Sequence, residues 1–422
     1  MSADKPGRSR VVGWRRAAFA IGPGLVVMLA DTEAGSVIAA AQGGAVWGYR
    51  LLLLQFALIP ALFMAQELAS RLGLSTRQGL AELALHRLGR AAALLLLAAL
   101  ATSCVGALVT ELSGLAGVGE LYGVPVWLTV AVATAGLLAV IWTGSYRSVE
   151  RVAIAVGLCE VSFIVLAWLA GPQLSEIRAQ MLQIPLGNPD YLYLLAANLG
   201  TCVIPWAVFY QQSASIDKGL TRANLAAARV ETFAGAVLCQ TITAAIVVAA
   251  ASALGHGAVS GRPLERVGEI ADAFTAAIGP DAGRIVFALG LSGGALVASI
   301  IVCLTAAWAF GEVLGLRHAL SEGPTQAPWF YGTIALVLIG GAVLVASGAS
   351  LVRMSLAVGV LNAVLLPVVL AFLYLLARRQ LPADLRLRGP YALLVAIVFC
   401  ATAGLGVYAS VAGGVSGLAW QR

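Results

Sequence analysis

The chain has 422 residues, of which 60% are hydrophobic and only 11% charged, and its formal net charge is +6. A water-soluble globular domain carries roughly 25% charged residues, so a mainly wet surface is excluded. The positive balance is that of basic loops beside anionic lipid, and it calls for no nucleic-acid partner.

Crossing a bilayer takes about 20 consecutive apolar residues. Windows of that kind fall at 18 to 45, 47 to 71, 92 to 117, 124 to 144, 149 to 170, 192 to 213, 226 to 253, 283 to 311, 329 to 347, 352 to 377 and 389 to 413. These long runs do not alternate, which excludes a membrane barrel and predicts an all-α polytopic membrane protein with about eleven transmembrane helices. The apolar stretch after the basic start is too long for a cleaved signal, so it is expected to remain as the first helix.

Placing the N-terminus in the cytoplasm puts 19 of the 26 Lys and Arg on that side. The skew predicts an N-terminus inside, a C-terminus outside and a multi-pass protein of the plasma (inner) membrane. No linker or charge block divides the chain, so residues 1–422 read as a single transmembrane domain. The polar gaps 171 to 190 and 254 to 282 are expected outside, with a surface helix over 264 to 278, and a cytoplasmic helix is expected over 79 to 88.

An odd number of spans accommodates a five-plus-five inverted repeat, in which spans 1 and 6 break at mid-membrane and form a site. Repeat one then covers about 18–170, repeat two about 192–377, and an extra helix follows at about 389–413. Span 1 contains Ala30-Asp31-Thr32-Glu33-Ala34-Gly35-Ser36, with two acids, a glycine and two hydroxyls between apolar flanks. Span 6 contains Asn198-Leu199-Gly200-Thr201-Cys202-Val203-Ile204-Pro205-Trp206. Proline removes a backbone donor and glycine tolerates open conformations, so both segments predict interrupted helices with free carbonyls.

A carboxylate at the bilayer centre costs at least about 2.5 kcal/mol and usually faces a cavity, a partner or an ion. Asp31 and Glu33 have no basic residue within span 1, which makes a bound cation their natural partner; protonation or a bond to a neighbouring helix is the alternative. Glu111, Glu160 and Glu67 are further acids at membrane depth, each able to line a proton or water path or to tie helices together. Gln211 and Gln212 could bring amide oxygens to the pocket or join helices.

His86, His256 and His318 fall at helix ends or in loops, and span 6 has no methionine. A site without imidazole or thioether favours Mg²⁺, Ca²⁺ or Mn²⁺ over softer metals. The six cysteines form no CxxC pair and read as small apolar packing residues. No nucleotide-binding loop of the GxxxxGK[ST] type is present. The run Gly290-Leu291-Ser292-Gly293-Gly294 matches GxSxG but lies inside a span, where small residues pack helices together, so no enzyme is expected.

The stretches Gly22-Pro23-Gly24, Glu33-Ala34-Gly35-Ser36, Gln42 to Tyr49, Gln66 to Leu74 and Gly79-Leu80-Ala81-Glu82 resemble the NRAMP family of divalent-metal transporters. That resemblance implies a LeuT-like inverted-repeat fold with broken helices 1 and 6. The family's signature is Asp-Pro-Gly-Asn in span 1 and Met-Pro-His in span 6; here Glu33-Ala34-Gly35-Ser36 and Ile204-Pro205-Trp206 stand at those positions. By resemblance, Glu33 and Ser36 are metal ligands, Ala30 and Thr201 offer carbonyls, and Asp31 adds charge. Ile204, Trp206, Gln211, Gln212 and Gly359 would line the pocket.

Ile204 replaces a sulfur ligand, Trp206 replaces a histidine linked to proton movement, and Gln211 stands at a second histidine position. Such changes are similar to those in the NRAMP-related magnesium transporters of bacteria. Mg²⁺ is usually held by one or two carboxylates and retained waters, which suits a site with few protein ligands. The expectation is therefore an alternating-access carrier of a divalent cation, Mg²⁺ before Mn²⁺, without proton coupling and without a cofactor. Three rivals stand beside it: a proton-coupled Mn²⁺ or Fe²⁺ carrier with Glu111 on the proton path, an organic solute carrier, and a non-transporting receptor of the same fold.

Overall fold

The computed structural model describes residues 22–143, 146–254, 263–317, 320, 322–347 and 350–419. The basic residues before Gly22, together with His256 and His318, lie outside the described residues. Among the described residues, nine helical runs are long and apolar enough to cross a membrane, and Val126–Trp142 is a shorter apolar helix.

The first run, Ala34–Thr76, passes through a 3₁₀ turn at Gly48–Leu51. It is bracketed by Gly22, beside the Lys218 ammonium, and by Arg77, whose guanidinium donates to the Leu220 carbonyl at 2.6 Å. Both ends therefore reach residues 218 to 220, so the run turns back on itself and holds two crossings. With that division the described chain contains the eleven crossings expected from the apolar windows.

Span 1 is built from α1 (Pro23–Asp31) and α2 (Ala34–Trp47), and span 2 is α3 (Leu52–Thr76). A short α4 (Leu80–Leu88) follows, then α5 (Arg90–Leu121) and α6 (Val126–Trp142) as spans 3 and 4. Span 5 joins α7 (Tyr146–Gly157) and α8 (Ser162–Leu169) through a 3₁₀ turn. A short α9 (Leu174–Gln180) lies in a gap where no helix is expected from the sequence.

Span 6 is broken into α10 (Pro189–Gly200) and α11 (Pro205–Asp217), and span 7 is α12 (Leu225–Leu254). The surface helix α13 (Val267–Ile278) falls where apolar spacing places it. Spans 8 to 11 are α14 (Pro280–Leu314), α15 (Pro328–Ala346), α16 (Leu351–Arg379) and α17 (Gly389–Ala419).

The protein is thus an all-helical, polytopic membrane protein. Its outer surface carries large apolar side chains such as Trp168, Leu336 and Val411, each about 70% exposed or more. In water such a belt would drive aggregation, whereas lipid tails cover it. The interior runs the other way: spans 1 and 6 are buried nearly throughout and collect polar side chains.

Candidate ion site at the two broken helices

The break in span 1 occurs at Thr32 and Glu33, whose backbone leaves the helical region (Thr32 ψ 46°, Glu33 ψ 170°). Helix bonding resumes only when the Val37 N–H donates to the Glu33 carbonyl at 3.0 Å. In a continuous helix the Ala30 carbonyl would accept from Ala34; instead the Ala34 N–H donates to Glu111 Oε2 at 3.1 Å. Ala30 is thereby left without its helical donor, in a region with no water to replace it.

Span 6 reaches the same result by different chemistry. The Thr201 carbonyl would accept from residue 205, which is proline and has no N–H. Ile204 is extended (φ −92°, ψ 136°) and α11 starts afresh at Pro205. The carbonyls of Ala30 and Thr201 are among those that the two breaks release.

Gly35 is where the breaks meet. A Cβ on Gly35 would stand 2.9 Å from Thr110 Cγ2, 3.0 Å from Glu33 Oε1 and 3.5 Å from Thr201 Cγ2. Span 3, the Glu33 carboxylate and the span 6 break all converge on a space that only glycine leaves free.

Glu33 is fully buried and neither of its carboxylate oxygens has a hydrogen-bond partner among the described residues. The Glu111 carboxyl, also fully buried, lies within hydrogen-bonding reach of it. Two facing carboxylates repel unless a proton or a cation stands between them. Asp31, 1% exposed and also unpartnered, interacts with Glu33 but faces a different set of groups, including Cys202, Cys239 and Glu160.

The other expected site residues divide by what they touch. The Ser36 hydroxyl donates to the Glu33 carbonyl at 3.0 Å, which leaves its oxygen lone pairs open. Ile204 and Trp206 are fully buried, and Trp206 Nε1 has no acceptor among the described residues. An indole N–H cannot ligate a cation, but it can hold a water that does. Gln211 Oε1 is buried and unpartnered, whereas the Gln212 amide donates to the Gln78 carbonyl at 2.8 Å and ties α11 to the turn before α4. Gly359 on α16 packs against the Ala197 carbonyl and the Thr201 methyl, behind the break.

Three supports of this site have partners that the sequence does not name. Asn198 donates to the Ala39 carbonyl at 3.0 Å and accepts from Gln55 at 3.2 Å, joining spans 6, 1 and 2. Glu231 on α12 accepts from the N–H groups of Gly22 and Leu25 at 2.6 and 2.7 Å, capping α1. Gln42 makes two bonds to the main chain of Leu264. Lone amides or acids inside apolar runs were the available signal, and they name no partner. Among the described residues, no three Asp, Glu, His or Cys side chains converge as a metal cluster.

Two broken helices that meet around buried carboxylates, inside an all-helical bundle, define a LeuT-like polytopic membrane protein with an ion-binding centre as its candidate site. The chain belongs to the Natural resistance-associated macrophage protein-like family, whose profile matches residues 24–412.

The chain is similar to the divalent metal cation transporter MntH of Verminephrobacter eiseniae, with 26% identity over 59% of this chain and 60% of the relative. It is also similar to MntH 1 of Pseudomonas aeruginosa, with 30% identity over 62% of this chain and 61% of the relative. It therefore spans about three fifths of the length of these curated relatives. Among solved structures, a manganese transporter of Eremococcus coleocola superposes with a TM-score of 0.73 at 15% identity, covering 96% of this chain and 87% of that one. A Na⁺-coupled sialic acid symporter superposes with a TM-score of 0.58 at 12% identity, covering 94% and 90%. The fold alone accommodates unrelated cargoes, so the choice of cargo rests on the side chains.

Proposed function

We propose that this chain carries a hard divalent cation, Mg²⁺ before Mn²⁺, between the two breaks by alternating access and without obligatory proton coupling. The observation that supports it best is the pairing of the buried, unpartnered Glu33 carboxylate with the carbonyls released at Ala30 and Thr201. All are oxygen donors, and Asp31, Ser36 and Gln211 add more of the same kind. Oxygen donors select hard cations.

Ile204 offers nothing to a soft metal, while the Trp206 N–H and the free Gln211 oxygen suit a cation that keeps part of its water shell. The membrane potential supplies about 2.3 kcal/mol per charge per 100 mV, which is enough to drive uptake of a divalent ion without protons.

With the basic loops in the cytoplasm, the bonds between Gln42 and Leu264 would close the outer side. A cavity of ≈ 440 Å³, lined by Glu82, Ser213, Asp217, Glu312 and Glu322, would lie on the inner side.

Proton-coupled Mn²⁺ transport is the second reading, favoured by Glu111 facing Glu33 and by the manganese and divalent-metal transporters among the relatives. Proteoliposomes with a pH-sensitive dye inside separate the two. Mg²⁺ uptake without internal acidification, abolished in Glu33→Ala, is the expected result. Mn²⁺ uptake with acidification, and none of Mg²⁺, selects the second reading. Flux unchanged in Glu33→Ala removes the site assignment under either.

A further inference from the structure

Beside span 4 lies a space for which the ion site has no use. A cavity of ≈ 660 Å³ runs between α5, α6, α7 and α14, with Leu115, Leu128, Val132, Val140, Val156 and Leu296 among its walls. No charged side chain lines it, and its polar side chains are the hydroxyls of Tyr122, Thr129 and Ser292. The Thr129 hydroxyl is turned to its own helix, donating to the Pro125 carbonyl at 3.3 Å. A buried water needs about two to four polar partners, and a dry void forfeits dispersion contacts along every wall. Hydrocarbon is the remaining filling.

The cavity opens onto the lipid-covered surface. Tyr122, Leu128, Val132 and Val152 line it and are also exposed, so its rim belongs to the same apolar belt as Trp168 and Leu336. At Gly136 its wall is bare, because an added Cβ would meet nothing within 4 Å. Shape narrows the choice of occupant. From Leu128 to Val140 the slot follows α6 for about 18 Å, and the hydrocarbon of one leaflet is about 15 Å deep. Spread over that length, ≈ 660 Å³ gives a bore of about 7 Å, too narrow for a helix of roughly 10–12 Å. An acyl chain carries no side chains and is slimmer.

Charge marks the end at which a headgroup would sit. Arg151 is exposed and directly precedes Val152 of the lining. The neighbouring Glu150 carboxylate pairs with the Lys218 ammonium at 2.7 Å, beside Gly22 at the start of α1. This end of the slot therefore lies at the polar boundary of the bundle, where a cation attracts anionic lipid.

We propose that the slot between α6 and α7 is a binding site for one acyl chain of an anionic phospholipid, whose phosphate meets Arg151. The bound chain fills the seam beside α7. In turn α7 packs on α1, since a Cβ on Gly157 would stand 3.0 Å from the Leu29 side chain. Lipid thereby reaches the half-helix that leads to the span 1 break without touching the ion.

Photolabelling of the full-length chain tests the site. The chain is reconstituted into phosphatidylcholine vesicles with rising fractions of a phosphatidylglycerol that carries a diazirine in its acyl chain, and adducts are mapped by mass spectrometry. Labelling of residues 132–140 and 152–156 is expected to saturate, whereas labelling at the exposed Leu336 of α15 should rise in proportion to the probe. Gly136→Phe should abolish labelling of the slot and leave Leu336 labelling unchanged; Gly136→Leu serves if the phenylalanine variant does not fold. Unlabelled phosphatidylglycerol should displace the probe about fivefold more effectively than phosphatidylcholine, an advantage lost in Arg151→Gln. Slot labelling that never saturates, that survives both Gly136 variants, or that gives chain-to-chain adducts in place of lipid adducts overturns the site. Equal displacement by the two lipids overturns the anionic headgroup. No divalent ion enters the assay, so the result is independent of the cation that the chain carries.

Discussion

The main-chain N–H of Ala34 donates to Glu111 Oε2 across 3.1 Å, joining the start of α2 to the middle of span 3. This bond takes the donor that would otherwise close the helix on the Ala30 carbonyl. Span 3 thus holds span 1 open, and the break does not depend on the local sequence of span 1 alone.

Glutamine at 111 keeps the acceptor and removes the charge, so Glu111→Gln is expected to retain Mg²⁺ binding within about threefold of the wild type. Glu111→Ala strands a buried N–H, at a cost of about 1–3 kcal/mol, or lets the helix close over the break. Calorimetric Mg²⁺ affinity should then fall by about tenfold or more, since 1.4 kcal/mol is a factor of ten. An equal loss in both variants would assign the effect to the Glu111 charge instead of its bond to Ala34.

That bond marks the limit of what the sequence conveys. The breaks themselves are legible: Asp31, Glu33 and Gly35 interrupt an apolar run and Pro205 lacks an N–H, which predicts free carbonyls, while naming Ala30 and Thr201 among them comes from the family resemblance. The eleven crossings follow from hydropathy for the same reason, because each is satisfied within its own segment. Glu111 reads only as an acid at membrane depth, because its acceptor role depends on a residue 77 positions away. The Glu231 cap on α1 and the Gln42 bonds to Leu264 span more than 200 residues. Pairings of that kind are set by helix packing, which no single-sequence periodicity encodes.

Gly35→Ala should damage the site through crowding. The added methyl would stand 2.9 Å from Thr110 Cγ2 and 3.0 Å from Glu33 Oε1, so one of the two must move. Overpacking of this sort costs about 1–3 kcal/mol. Thr110→Ser removes the crowding methyl and keeps the hydroxyl that bonds the Gly106 carbonyl, so the double variant should recover part of the lost thermal stability. Divalent-cation flux should recover less, because Glu33 Oε1 is still displaced. Full recovery of flux would show that the position of Glu33 does not set the rate.

Ile204→Met places a thioether at the extended residue that opens α11. The volumes are similar, so folding should survive with a change below about 1.5 kcal/mol. A soft donor beside Glu33 favours softer cations, and Cd²⁺ and Mn²⁺ should gain over Mg²⁺ by about tenfold in competition binding. Unchanged selectivity would place the Ile204 side chain away from the bound ion, even though the backbone at this break delivers the Thr201 carbonyl.

Gln42 provides the last test, because it acts on the conformational equilibrium and not on the ion. Its amide nitrogen donates to the Leu264 carbonyl at 3.3 Å, and its oxygen accepts from the Leu264 N–H at 2.9 Å, with both residues buried. Gln42→Ala strands two main-chain groups only while this end stays closed; on opening, water satisfies them. The closed state alone is penalised, by about 1–3 kcal/mol, which shifts the open population by roughly tenfold. Thiol labelling of Ala39→Cys, in a background with the exposed Cys400 replaced, should accelerate by a similar factor when Gln42→Ala is added. Labelling at an unchanged rate would mean that α2 and the Leu264 segment move together, and that this end opens along another seam.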